Sequence, residues 1–482
     1  MPGFFHKSGY ILSVLFLCLS VSCGKVHSDQ PKTATIDASS QSAVAVTIYN
    51  DNLGLVRDIR SVKLSPGLYT IQFMDVAEHI LPTSVHAASL TAQDSFYVLE
   101  QNYEYDLINH EKLMDKYVGK DVKLVFKSSY DGSEEIRDAI LLANNQQPVF
   151  KIGGEIHLGF PGRVILPELP EDLLARPTLV WLVDNKTGDS HDIEVSYLTS
   201  GISWECNYVM VLDKTDANAD LTGWVSIDNR TGASFRNASV KLVAGEINRA
   251  LPQTNYVAKR YMMETAAMPA PDQFEEKEFF EYHIYTLNRP ATVKQNQMKQ
   301  IVLFEGNDIA TAKEYTLSGQ RYYFTSLYTT PLKSLPVDVV VKFKNSKENN
   351  LGIPLPKGII RVYKADHEGM LQFAGEDSIA HTPKDEEITV KLGEAFDIKA
   401  ERKQTDYRKV RKDLQEVEWE IAIRNHKKEN VTVIVKETVP GEWEIVDHTH
   451  PFKKESADTV SFSVPVETDG ETVLRYRASI KW

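Results

Sequence analysis

The chain has 482 residues, of which 42% are hydrophobic and 25% charged, with a formal net charge of −13. That length suits two to four domains at about 100–200 residues each. The acidic balance, with no long basic run to override it, argues against nucleic acid or anionic lipid as a bulk electrostatic partner.

The first thirty residues carry a targeting pattern. His6 and Lys7 precede an apolar run from Tyr10 to Leu19, and small residues follow up to Cys23 and Gly24. This order is that of a secretory signal peptide over residues 1–22. The run is too short for a membrane-spanning helix, which needs about 20 apolar residues. Leu19-Ser20-Val21-Ser22-Cys23 resembles a bacterial lipobox, with Ser20 at the place where such boxes usually carry Leu. On that reading Cys23 is the lipidated residue; simple cleavage after Ser22 also satisfies the small-x-small rule. Residues 23–43 are rich in Ser, Thr, Ala, Asp, Lys and Gln, and read as a flexible tether. An exported lipoprotein with Gly24, not Asp, after the Cys is expected at the outer membrane, its membrane contact being the lipid anchor.

From Val44 onward, short segments rich in β-branched and aromatic residues alternate with turn residues, as in Val44–Tyr49, Leu68–Phe73 and Ser95–Leu99. One helix is expected after Asn109, which can cap it, with Leu113, Met114 and Tyr117 on one face and Gly119 at its end. The stretch 106–160 has the strands and glycines of a small barrel inserted in an N-terminal β module over 44–200, after which Pro161, Pro167, Pro170 and Pro177 stiffen the connection. A central β module is expected over 201–350, with a mobile loop over 250–278 where Met, Ala, Pro and acidic residues break the strand pattern. The last block, 351–482, reads as a β-sandwich. Val417, Trp419, Ile421 and Ile423 alternate with Glu416, Glu418 and Glu420, and Phe462, Val464, Val466 and then Leu474, Tyr476, Ala478, Ile480 and Trp482 repeat the pattern. The expected fold class is mainly β, with tandem β-sandwich or barrel modules and one or two short helices.

Several segments together resemble a bacterial family of unknown function that includes the mucoidy inhibitor A-like proteins. They include Tyr49-Asn50-Asp51-Asn52-Leu53-Gly54-Leu55-Val56-Arg57-Asp58, Gly201-Ile202-Ser203-Trp204, Leu221-Thr222-Gly223-Trp224-Val225, Leu242–Arg249, and Arg424-Asn425-His426-Lys427 with Gly441-Glu442-Trp443. The resemblance implies a β-rich, often exported protein and supplies no catalytic residue or cofactor. Relatives with a long coiled coil depart from this chain, which has no sustained apolar heptad.

No motif assigns chemistry. His448 and His450 with Asp447 lack a third ligand nearby, and His110-Glu111 and His367-Glu368 lack the second His of a zinc-protease motif. Cys206 sits in a strand pattern with no basic partner beside it, as a small buried hydrophobe does. Trp204, Trp224 and Trp443 alternate as core residues, and Glu416, Glu418 and Glu420 read as a solvated acidic face. No catalytic, cofactor-binding or metal-binding residue is assigned, and no cofactor. The expectation is a non-enzymatic interaction or scaffold protein of the cell envelope with an unknown protein or glycan partner. Its rivals are a carbohydrate-active enzyme whose carboxylates meet only in the fold and a periplasmic assembly factor that binds client strands.

Overall fold

The computed structural model describes residues 30–482 except 105–107, 128–131, 161, 171–172, 174–175, 189, 246, 249–273 and 280–281. The protein is mainly β: the described residues form five sheets and one short α-helix, with 3-10 turns between. Residues 1–22, expected to be a signal peptide, and Cys23 lie outside the described residues.

The first sandwich packs two sheets. One orders the strands Lys32–Ile36, Gly67–Met74, Thr178–Asn185 and Phe96–Glu104. The other contains Gln41–Tyr49, Leu53–Lys63 and Ser190–Thr199, with Phe235–Ala244 joined in parallel to Gln41–Tyr49. Alternation drives the packing: Val46, Ile48, Val56, Ile193 and Val195 point inward from one sheet, and Ile71, Phe73, Trp181 and Val183 from the other. Phe73 and Trp181 meet with ring centroids 5.3 Å apart, and burying each ring stabilises the fold by roughly 1.5–3 kcal/mol or more.

The expected tether is therefore shorter than its composition suggests. From Lys32 the chain is already a strand, paired in parallel with Gly67–Met74 from Lys32↔Tyr69 to Ile36↔Phe73. A polar segment forms a strand here because the ladder satisfies its backbone while only Ile36 needs the core.

The inserted segment folds as a five-stranded sheet over its own small core. Asn109 accepts from the Lys112 amide and caps the helix His110–Lys116 as expected, and Met114 and Tyr117 pack on Leu124, Leu141 and Phe150. The sheet stays open, since no ladder joins its edge strands Glu155–Leu158 and Arg163–Ile165 among the described residues. Its outer face leaves Ile136, Ile156 and Leu158 exposed.

The expected module boundaries near 200 and 350 do not coincide with the cores. One core runs from Ile36 to Val390, because Phe235–Ala244 returns to the first sheet and the strand Gly358–Ala365 pairs in parallel with Ile202–Leu212. A second core begins at Tyr315 and ends at Ile480. The 22-residue strand Gln297–Ser318 serves both: its first half pairs with Asn218–Asn229 and its last residues with Val431–Thr438. Within the expected loop at 250–278, residues 250–273 lie outside the described residues, and Phe274–Phe279 is a strand paired with Tyr282–Leu287.

The C-terminal sandwich matches the alternation closely. Val417, Trp419, Ile421 and Ile423 are buried, as are Phe462, Val464, Val466, Leu474, Tyr476, Ala478 and Ile480. Trp482 departs from the pattern: it is 56% exposed, because it lies past the last rung of the ladder.

Candidate functional site

The strand Leu53–Lys63 carries the key residues. Its inward phase, set by Val56, continues with Asp58 and Arg60, two charged side chains on a face otherwise built for the core. Neither is left unpaired. Arg60 Nη2 and Nε donate to Asp58 Oδ2 at 2.7 and 3.2 Å, and Nη1 donates to the carbonyls of Ile36 and Met74. The guanidinium also stacks 3.8 Å over the Phe73 ring. Burying ions is expensive unless they are paired and hydrogen-bonded, and this fork occupies every guanidinium nitrogen.

Above the pair opens a cleft of about 610 Å³. Asp58 lies in its floor, where Gln41 Nε2 donates to Oδ1 at 2.9 Å. Tyr197, on the adjacent strand opposite Val56, lies beside it, and its hydroxyl accepts from the Ala77 amide at 3.4 Å. Burial, reinforced by the Asp58 charge, pushes that hydroxyl well above the ordinary tyrosine range. One wall is Asp75, which accepts from Arg176 Nη1 at 2.8 Å and from the Ala38 amide at 3.1 Å. The rim carries Glu78 and Arg236, opposite in sign and without ion-pair partners among the described residues. The turn at Gly232 (φ +87°) passes so close to Glu78 that any Cβ there would overlap its side chain.

The cleft gathers three carboxylates and two arginines around a hollow. Two of its three carboxylates, Asp58 and Asp75, already accept from arginine and from a further donor, which ties each of them to the walls of the cleft. What remains free is a set of hydrogen-bonding groups of both polarities around a hollow.

The residues singled out by sequence lie elsewhere. Cys206 is a free, buried thiol, pushed up to about 12 by burial. Trp204 is buried, its Nε1 donating to the Val243 carbonyl, while Trp224 and Trp443 are half-buried and Lys454 covers the Trp443 ring at 4.3 Å. His448 Nδ1 bonds the His450 carbonyl, and burial lowers the His450 pKa. Among the described residues no group of three or more His, Cys, Asp or Glu gathers to hold a metal. Glu416, Glu418 and Glu420 are solvent-facing but not a bare acidic face: Arg477 pairs with Glu416 and Glu418, Arg408 with Glu416, and Arg475 with Glu420.

Asp58 was visible only as the end of a segment that carries the family resemblance, and Arg60 not at all. The available signal was phase: Val56, Asp58 and Arg60 recur every second residue on the buried side.

A family model described as "Domain of unknown function (DUF4139)" matches residues 193–482. No curated protein matches the chain. The matched region starts inside the strand Ser190–Thr199 and contributes Tyr197 and Gly232–Arg236 to the cleft, whose other residues precede it.

Proposed function

The chain belongs to the DUF4139 family, and from that premise we propose that it is an exported cell-envelope lipoprotein that works by binding a partner, without catalysis. The basic start, apolar core and Cys23 support export and acylation, and Gly24 supports the outer membrane. Within the family, the likeness of the segments quoted above supports a kinship with the mucoidy inhibitor A-like proteins.

The observation that carries the binding reading is the cleft, a hollow held open by two arginine–carboxylate pairs, Arg60–Asp58 and Arg176–Asp75. A hydrolase of the two-carboxylate kind needs one carboxyl free to give up a proton and another free to act as base or nucleophile. Here Asp58 and Asp75 are tied to arginines, and the arrangement favours recognition.

The test is capture from the native envelope after mild crosslinking, comparing the full chain with Arg236→Glu. The reading expects one reproducible partner that the variant loses. If no partner is recovered, or the same partner is recovered equally by both, the binding role of the cleft is refuted.

A further inference from the structure

We propose that the cleft over Asp58 and Tyr197 takes a neutral, hydroxyl-rich ligand, a sugar residue of a glycan. This rests on the binding reading above and adds the ligand's chemistry.

The argument is one of unused hydrogen-bonding capacity. Asp58 Oδ2 receives two N–H groups from Arg60, but Oδ1 receives only Gln41 and keeps a free lone pair. Tyr197 accepts from Ala77, yet its own O–H proton meets no acceptor among the described residues, although the side chain is 1% exposed. The floor therefore offers one spare acceptor beside one spare donor. A hydroxyl answers both, since it donates and accepts at the same atom. An ammonium could use only Asp58. A carboxylate or phosphate could use only Tyr197 and would face the Asp58 charge. A backbone amide divides its donor and acceptor between two atoms on opposite sides of the peptide plane.

Charge points the same way. The lining holds Asp58, Asp75 and Glu78 against Arg176 and Arg236, with Arg60 directly beneath, so the formal charges cancel. A cleft balanced in this manner gives an ion no net attraction, while its rim still supplies donors and acceptors for further hydroxyls. Val76 and Pro177 give the wall an apolar portion that suits the C–H face of a ring. The volume lies within the range of about 300–1,000 Å³ usual for small-molecule sites.

The experiment titrates the full chain with maltotriose, mannotriose and chitotriose, and with end-blocked trialanine as comparator, by calorimetry and saturation-transfer NMR. At least one trisaccharide is expected to bind. Tyr197→Phe, which deletes one hydroxyl and keeps the ring, should weaken it about three- to tenfold, as loss of one hydrogen bond does, and should lower the melting temperature slightly because the buried Ala77 amide loses its acceptor. Arg236→Gln on the exposed rim should also weaken it, and decides the matter if Tyr197→Phe fails to fold. Absence of binding by all three sugars, affinity indifferent to both variants (an ordered water only on the floor), or binding of trialanine in their place overturns the proposal. If sugars fail while Arg236→Glu still loses the crosslinked partner, the ligand class alone is wrong. If both fail, the binding reading falls with it.

Discussion

The sharpest quantitative test lies in the C-terminal core. Arg402 and Glu437 are both fully buried, with Arg402 Nη2 donating to Glu437 Oε1 at 2.6 Å. The guanidinium stacks on Tyr323 and Trp419 at 4.7 and 5.2 Å. Burial opposes its charge, and the Glu437 carboxylate more than offsets that, holding the guanidinium firmly protonated. Glu437→Gln keeps the side chain's shape and would leave this cation in the core without a counter-ion. Breaking a buried pair from one side costs about 3–5 kcal/mol. With a urea m-value of about 2 kcal/mol/M, the midpoint of the C-terminal transition should fall by roughly 2 M. Trp419 lies at the site, so urea unfolding followed by tryptophan emission reads it directly. The double variant Arg402→Met/Glu437→Leu removes both charges and should recover most of the loss, since replacing a buried pair by apolar groups is neutral or stabilising by about 1–4 kcal/mol. A single-variant loss under about 1 kcal/mol would show that the pair is solvated in solution and refute the reasoning.

Other predictions concern ionisation and location. Burial disfavours the Asp216 carboxylate, and the ammonium groups of Lys313 and Lys364 more than offset this, so its folded pKa lies below the ordinary value. The stability it contributes is complete above the unfolded pKa of about 4 and drains as pH falls through the lower folded value. The melting-temperature gap between wild type and Asp216→Asn should therefore narrow steadily from pH 6 to pH 3; a constant gap contradicts the linkage. Cys206, with its thiol pushed up to about 12, should resist a thiol reagent at pH 8 in the native chain and react once urea unfolds it, whereas rapid native labelling would contradict its burial. Cys23→Ser should abolish incorporation of a clickable fatty acid, and equal labelling of both chains would remove the anchor from the proposal.

What was legible in the sequence was local. Asn109 and Gly119 bracketed the helix because a cap and a left-handed stop act within one turn. The strand Leu414–Asn425 was legible because period-two alternation records which face is dry. Alternation does not say which strand lies next door. The parallel return of Phe235–Ala244 to Gln41–Tyr49 joins residues nearly two hundred apart, and no local preference encodes it, so the module boundary was drawn where the cores in fact continue. The same blindness made Glu416, Glu418 and Glu420 look free. Their partners are Arg475 and Arg477, in register at Glu420↔Arg475 and Glu418↔Arg477 on a strand about sixty residues later. The cleft was hidden for a different reason: charged residues on a buried phase read as noise until the fold shows Arg60 reaching back to Asp58.

The position of the first strand gives the anchor a geometric consequence. If Cys23 carries lipid, the nine residues from it to Lys32 reach at most about 32 Å even when fully extended. The strand Lys32–Ile36 leads straight into Ala38 and Ser39, which line the cleft, and the Ile36 carbonyl accepts from Arg60. On that reading Ala38, fifteen residues beyond Cys23, lies no farther than about 54 Å from the lipid surface. A dye placed at Arg236→Cys on the anchored chain in liposomes should transfer energy efficiently to an acceptor on the headgroups. Inserting forty Gly and Ser residues after Gly24 raises the average reach of this segment from about 17 Å to about 39 Å, and transfer should drop. Equal transfer with and without the insertion would mean that the chain between Cys23 and Lys32 does not set the distance, and the body would be held at the surface by its own contacts instead.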